Sequence, residues 1–141
     1  MFSRHGKIII IDIETARRRE IASGTSPAWS QDGMWISFTS PDMVPMLVDP
    51  SNLKQVELWG GRKLSGPIAW APDSCCISFS ARGKDIEGMI YPGGRIIIYR
   101  IKDGEWFPLS GFSFGIGSSA RHNWFYDYKA FLARNESRKT P

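Results

Sequence analysis

The stretch Ser26-Pro27-Ala28-Trp29-Ser30-Gln31-Asp32-Gly33-Met34-Trp35-Ile36-Ser37-Phe38 decides how this chain folds, because the chain carries it more than once. A second copy runs Gly66-Pro67-Ile68-Ala69-Trp70-Ala71-Pro72-Asp73-Ser74-Cys75-Cys76-Ile77-Ser78-Phe79, and a third runs from Arg121-His122-Asn123-Trp124 through Asp127-Tyr128 to Phe131-Leu132-Ala133. Each holds Trp-x-x-Asp, with an apolar residue seven positions after the Trp: Ile36, Ile77 and Phe131. Asp32-Gly33 is a strong hairpin signal, since glycine reaches positive φ freely and the carboxylate accepts hydrogen bonds from turn amides. Asp73-Ser74 and Asp127-Tyr128 are weaker forms of it. The recurring unit is therefore strand, tight turn, strand.

Working outward, the Trp-to-Trp spacing is 41 residues from Trp29 to Trp70 and 54 from Trp70 to Trp124, the surplus falling in an insertion from Arg82 to Gly94. A second hairpin recurs between the Trp segments: Lys7 to Ile13 then Arg18 to Ala22, Val44 to Asp49 then Lys54 to Leu58, and Arg95 to Ile101 then Glu105 to Leu109. Two hairpins in a period of roughly 40 to 50 residues make one four-stranded propeller blade. The run Ile8 to Ile11 is apolar without alternation, as expected of a strand covered on both faces by neighbouring blades. The expected fold class is all-β: β-propeller blades of four antiparallel strands, about three per chain, or half of a six-bladed ring.

Pro27 to Phe38 and Ala69-Trp70-Ala71-Pro72-Asp73 resemble the TolB-type (WD40-like) propeller repeat, whose core reads P-x-W-S-P-D-G-K-x-I-A-F. Ile11-Asp12 and Leu47-Val48-Asp49 are similar to that family's I-Y-V-M-D segment. The resemblance covers roughly residues 7 to 133; in the third copy Phe125-Tyr126 stands for Ser-Pro and Tyr128 for Gly. It implies a binding or assembly surface that recognises a protein or peptide, without catalysis. It also implies an alternative, because similar propellers occur in hydrolases and lyases acting on peptides or sugars, with a site in the central channel.

The organisation expected is an N-terminal extension over residues 1–6, three blades over 7–133 and a disordered basic tail over 134–141. The chain opens on an outer hairpin and ends on a Trp hairpin, complementary halves of one split blade. Rings need about four to eight blades. The expected partner is therefore a second copy, forming a homodimer, or the missing remainder of a longer propeller.

Composition narrows the classes further. With 141 residues, 42% hydrophobic and 13% aromatic, the chain suits one aromatic-packed architecture. The net charge of +4 is dispersed apart from Arg17 to Arg19 and the tail around Arg134, Arg138 and Lys139, so it names no nucleic-acid partner. No apolar stretch is long enough for a membrane span or an export signal, and the expectation is a cytoplasmic protein, or a periplasmic one if the true N-terminus is missing. Cys75 and Cys76 are adjacent, and in a strand their side chains would point to opposite faces, which disfavours a disulfide and suits packing.

No residue pattern marks catalysis, and neither a cofactor nor a metal is expected. Gly111, Gly115 and Gly117 suit an inter-blade loop better than a phosphate loop, since no helix-forming segment follows. Asp32, Asp73 and Asp127 suit turn capping better than a carboxylate ring, and Trp29, Trp70 and Trp124 suit packing between sheets better than stacking a ligand. Two stretches are candidates for binding. Arg121, His122 and Asn123 precede a first strand, which lines the channel of a propeller, although an exposed loop histidine is the simpler reading. Met89, Ile90 and Tyr91 sit in the long insertion, where apolar side chains call for a partner or a fold-back contact.

Overall fold

The computed structural model describes residues 2–4, 6–82 and 94–108. β-Branched and aromatic residues form eleven strands there, and they fall into three antiparallel sheets. β1 (Phe2–Arg4), β2 (Lys7–Ile11) and β3 (Arg18–Ser23) make a three-stranded sheet in that order. β4 (Thr25–Trp29), β5 (Ile36–Thr39), β6 (Pro45–Val48) and β7 (Gln55–Glu57) make the second, a four-stranded meander. β8 (Ala69–Trp70), β9 (Cys76–Arg82), β10 (Gly94–Arg100) and β11 (Trp106–Pro108) make the third in the same topology. A single 3-10 turn at Trp59–Gly61 interrupts the crossing from the second sheet to the third. The expected β-propeller fold class is the observed one: two complete blades and a three-stranded one.

The repeat is exact in its hydrogen bonds as well as in its letters. Ser30 N–H donates to the Trp35 carbonyl at 2.8 Å, and Ala71 N–H to the Cys76 carbonyl at 2.9 Å, closing the same turn in blades two and three. Gly33 N–H to Ser30 and Ser74 N–H to Ala71 repeat likewise, both at 3.0 Å. Gly33 meets this turn at φ +72, where glycine has no Cβ penalty, while Ser74 occupies the same slot at φ +60.

Pairing register shows where the first sheet belongs in this scheme. Phe2 pairs with Ile9, Phe38 with Met46 and Phe79 with Ile97, so β1 is the counterpart of β5 and β9, the second strand of a blade. Residues 1–6, expected as an extension, thus supply a strand at Phe2–Arg4. Extrapolating the register, the slot of Ser37 falls at position 1, and no described strand takes the place of β4 or β8 in the first sheet.

Sheets stack face to face. Ile8, Ile21 and Ala22 of the first meet Ile36, Phe38 and Val48 of the second, all buried. Leu47, Leu58 and Trp59 then pack with Trp70, Ile77, Phe79, Ile97 and Tyr99 to join the second and third. Phe38 and Phe79, at 1% and 0% exposure, anchor the two seams; truncating either to Ala would cost about 3–5 kcal/mol. Crossings between blades are tied at equivalent points: Gly24 N–H donates to the Gly6 carbonyl, and Leu64 N–H to that of Met43. At Gly24 the crossing is so tight that a Cβ would lie 2.3 Å from the Thr39 carbonyl oxygen and 2.7 Å from Phe38 Cδ2.

The apolar run in β2 departs from the expectation of two covered faces. Ile8 is fully buried, but Ile9, Ile10 and Ile11 are only partly so. Ile9 and Ile11 hold the register of Met46 and Val48, which pack on the sheet before them, and of Ile97 and Tyr99, which do the same. Among the described residues no sheet precedes the first, so that side of β2 faces outward.

Candidate functional site

Two tryptophans at the same repeat position have different fates, and the difference locates the site. Trp70, at the end of β8, is 8% exposed and its indole Nε1 donates to Ser37 Oγ at 2.9 Å and to the Ala28 carbonyl at 3.2 Å, both on the preceding blade. Ser37 is itself fully buried. A buried hydroxyl and a buried indole satisfy one another there, which makes this contact specific as well as apolar. Trp29, at the end of β4, is 39% exposed. The acceptors that Trp70 finds on the preceding blade belong to strands one and two of that blade, and among the described residues the first sheet has no counterpart of the first of these.

Around Trp29 the exposed apolar surface includes Met34, at the tip of the same hairpin. On the other face of the first sheet, Ile9 and Ile11 of β2 are partly exposed. An edge strand unpaired among the described residues, β1, and a partly exposed apolar face on the same sheet are features that invite strand addition or sheet stacking.

The aspartates act on their own turns. Asp32 Oδ1 accepts from Ser30 Oγ at 2.6 Å and from Met34 N–H at 3.0 Å, and Asp73 Oδ1 accepts from Cys75 N–H at 3.1 Å. The Ser30 hydroxyl is the main reason the Asp32 carboxyl sits below its usual range, with the Met34 amide next. Asp12, Asp49 and Asp103 cap the outer hairpins in the same manner and are lowered too, chiefly by Thr15 N–H, by the Ser51 hydroxyl and by Arg100 respectively. Asp103 had no counterpart in the sequence pattern and is reached through Arg100, which also pairs with Glu105 at 2.6 Å.

Two further contacts cross blades. Asp32 N–H donates to Ser74 Oγ at 3.1 Å, and the Arg19 guanidinium donates to the Pro50 carbonyl. Trp59, from the crossing between β7 and β8, lies 5.1 Å from Phe79 and 5.8 Å from Trp106, edge-on to both, while Arg62 sits 5.7 and 5.5 Å from the Trp59 and Trp106 ring centroids. Trp59 Nε1 is buried without a hydrogen-bond partner. Neither Ser37 nor this aromatic cluster was picked out from sequence. Ser at eight positions after Trp, in both Ser37 and Ser78, was the available signal for the first.

Cys75 and Cys76 correct one expectation. Cys76 opens β9 and Cys75 precedes it in the bend, so strand alternation does not separate them, and their Sγ atoms lie 2.9 Å apart. Cys76 is fully buried while Cys75 is partly exposed. Arg121, His122, Asn123, Trp124 and Asp127, like Met89, Ile90 and Tyr91, lie outside the described residues. Among the described residues no group of His, Cys, Asp and Glu is placed to hold a metal ion, and no helix is long and apolar enough to cross a membrane.

With this geometry in view, solved structures supply the comparison. No family model matches the sequence, and no curated protein does. TolB from Acinetobacter baumannii superimposes with TM-score 0.58 at 22% identity, over 74% of this chain and 26% of that one. Oligogalacturonate lyase from Vibrio parahaemolyticus gives 0.57 at 16%, over 71% and 32%, and the tricorn protease gives 0.54 at 14%, over 72% and 10%. These likenesses establish a TolB-like β-propeller fold. The chain spans about a quarter of the TolB structure's length.

Proposed function

We infer that this chain is half of a six-bladed β-propeller, a non-catalytic module for binding and assembly that closes by pairing with a second copy. The observation that carries this reading is the contrast between Trp70, locked to Ser37 and Ala28, and Trp29, left open at the same repeat position. The partly exposed Ile9 and Ile11 face, and the absence of an inner strand from the first sheet among the described residues, support it. In this reading the Trp124 segment of the partner subunit supplies the inner strand.

Each of the two identical seams would bury on the order of 1,500 Å², the size of a stable protein interface. The finished ring would present the Arg121-His122-Asn123 and Met89-Ile90-Tyr91 segments twice, as surfaces for a protein or peptide. The direct test is molar mass by light scattering at micromolar concentration. Twice the 15.9 kDa chain mass is expected, and a soluble species with the mass of one chain defeats the reading. An enzymatic role draws support from the lyase and the protease among the neighbours; depolymerisation of oligogalacturonate or peptide cleavage by the purified protein would favour it.

A further inference from the structure

We propose that Cys75 and Cys76 are a reversible redox pair, closing to a disulfide between adjacent residues when a low-molecular-weight disulfide such as oxidised glutathione is present. The proposal stands independently of ring closure. Its basis is geometric: the two Sγ atoms are in hydrogen-bond contact at 2.9 Å, less than an ångström beyond a disulfide bond of about 2.05 Å. Little side-chain movement separates the dithiol from the bonded state.

The two sulfurs divide the work. Cys75 is partly exposed in the bend, so an oxidant reaches it, whereas Cys76, at the start of β9, is fully buried. Burial pushes the Cys76 thiol well up, and the Cys75 sulfur adds to the shift, so the buried thiol keeps its proton and the partly exposed Cys75 is the sulfur that meets the oxidant first. Only the thiolate is an effective nucleophile. In the first step the Cys75 thiolate attacks one sulfur of oxidised glutathione and expels a glutathione thiolate, which takes up a proton. In the second, the Cys76 sulfur gives its proton to solvent base, attacks Cys75 Sγ and expels the second glutathione thiolate. Two protein thiols thereby lose two protons and two electrons, and one glutathione disulfide becomes two thiols. Proximity makes the second step intramolecular, which offsets the poor acidity of Cys76.

Reversal is built into the same geometry. Across a trans peptide the two Cα atoms are about 3.8 Å apart, short of the usual range of about 4.4 to 6.8 Å, and a strained disulfide is more easily reduced. The closed ring would also reshape the turn that holds Ser74 at φ +60, whose hydroxyl accepts the Asp32 amide across the blade junction.

The experiment is titration of the full chain with oxidised glutathione, followed by intact mass and thiol counting in denaturant. The expected product in denaturant is a chain not cross-linked to another, which has lost two hydrogens and both of its 2 titratable thiols, with no retained glutathione and full recovery on reduction. Cys76→Ser is expected to stop at one stable glutathione adduct, and Cys75→Ser to react more than tenfold more slowly. A stable glutathione adduct on the wild-type chain, disulfides between chains, or no loss of thiols under conditions that oxidise a simple dithiol would each overturn the proposal.

Discussion

Replacing Trp29 with Ala separates association from folding, and the structure sets the size of the effect. An aromatic side chain of this class buries about 150–250 Å² when fully covered. Trp29 is 39% exposed in the single chain, so closing the ring over it would bury roughly 60–100 Å² more, worth about 1.5–2.5 kcal/mol at ~25 cal/mol/Å². A twofold ring contains the contact twice. The proposed dimer should therefore weaken by about 3–5 kcal/mol, a hundredfold to a few thousandfold in Kd, with no comparable disturbance of the seam between β4–β7 and β8–β11. Sedimentation velocity across a concentration series reads this directly. Trp70→Ala is the control: it removes the equivalent side chain from a finished seam and should lower the unfolding free energy of the chain itself by about 3–5 kcal/mol. Equal association constants for Trp29→Ala and wild type would refute the reasoning, because the open Trp would then be an ordinary surface residue.

Ser37→Ala removes one of the two acceptors of the Trp70 indole and should cost about 1 kcal/mol in urea denaturation; Trp70→Phe, which removes the indole donor and leaves the buried Ser37 hydroxyl only its bond to the Ala28 carbonyl, should cost about 1–3 kcal/mol from the lost hydrogen bonds and lost volume together. Gly24→Ala places a Cβ 2.3 Å from the Thr39 carbonyl oxygen and should lower stability by about 3 kcal/mol or more, with the loss appearing in thermal melts as a large drop in Tm. Acid should loosen the turns: Asp12, Asp32, Asp49 and Asp103 are held below their ordinary 3.8, so their contribution is complete above that value and is lost as pH falls through the lowered one. Chemical denaturation midpoints should be level from pH 7 to about 5 and decline below about 4, and Asp32→Asn should flatten part of that decline.

Fold class was legible because a propeller repeats its turn chemistry. Asp32-Gly33 and Asp73-Ser74 mark the same hairpin 41 residues apart, and the structure gives both the same hydrogen bonds. Strand boundaries followed from the apolar runs: the segment expected over Val44 to Asp49 is β6 at Pro45–Val48, and that over Arg95 to Ile101 is β10 at Gly94–Arg100. β1 was hidden by its brevity. Phe2-Ser3 matches Phe38-Thr39 and Phe79-Ser80, but two letters carry no periodicity, and only pairing with Ile9 and Ile8 identifies the strand. The candidate site was half visible. That Trp29, Trp70 and Trp124 are equivalent could be read from spacing, whereas the inequality of Trp29 and Trp70 depends on what lies across the seam, which local sequence does not encode. The cysteine pair shows the same limit: alternation holds inside a strand and fails across its start, where Cys75 lies in the bend and Cys76 opens β9.

The Trp70 lock is made of parts from two repeats: the indole belongs to one blade, and the hydroxyl and carbonyl that receive it belong to the blade before. Blades are therefore not interchangeable bricks. A transplanted or duplicated blade arrives with a key cut for its former predecessor and a keyhole cut for its former successor, so swapping experiments should exchange segments running from one Trp-plus-eight serine through the following Trp. Such a segment, offset from the visible sheet by half a turn of the chain, is the unit in which this architecture keeps its specificity.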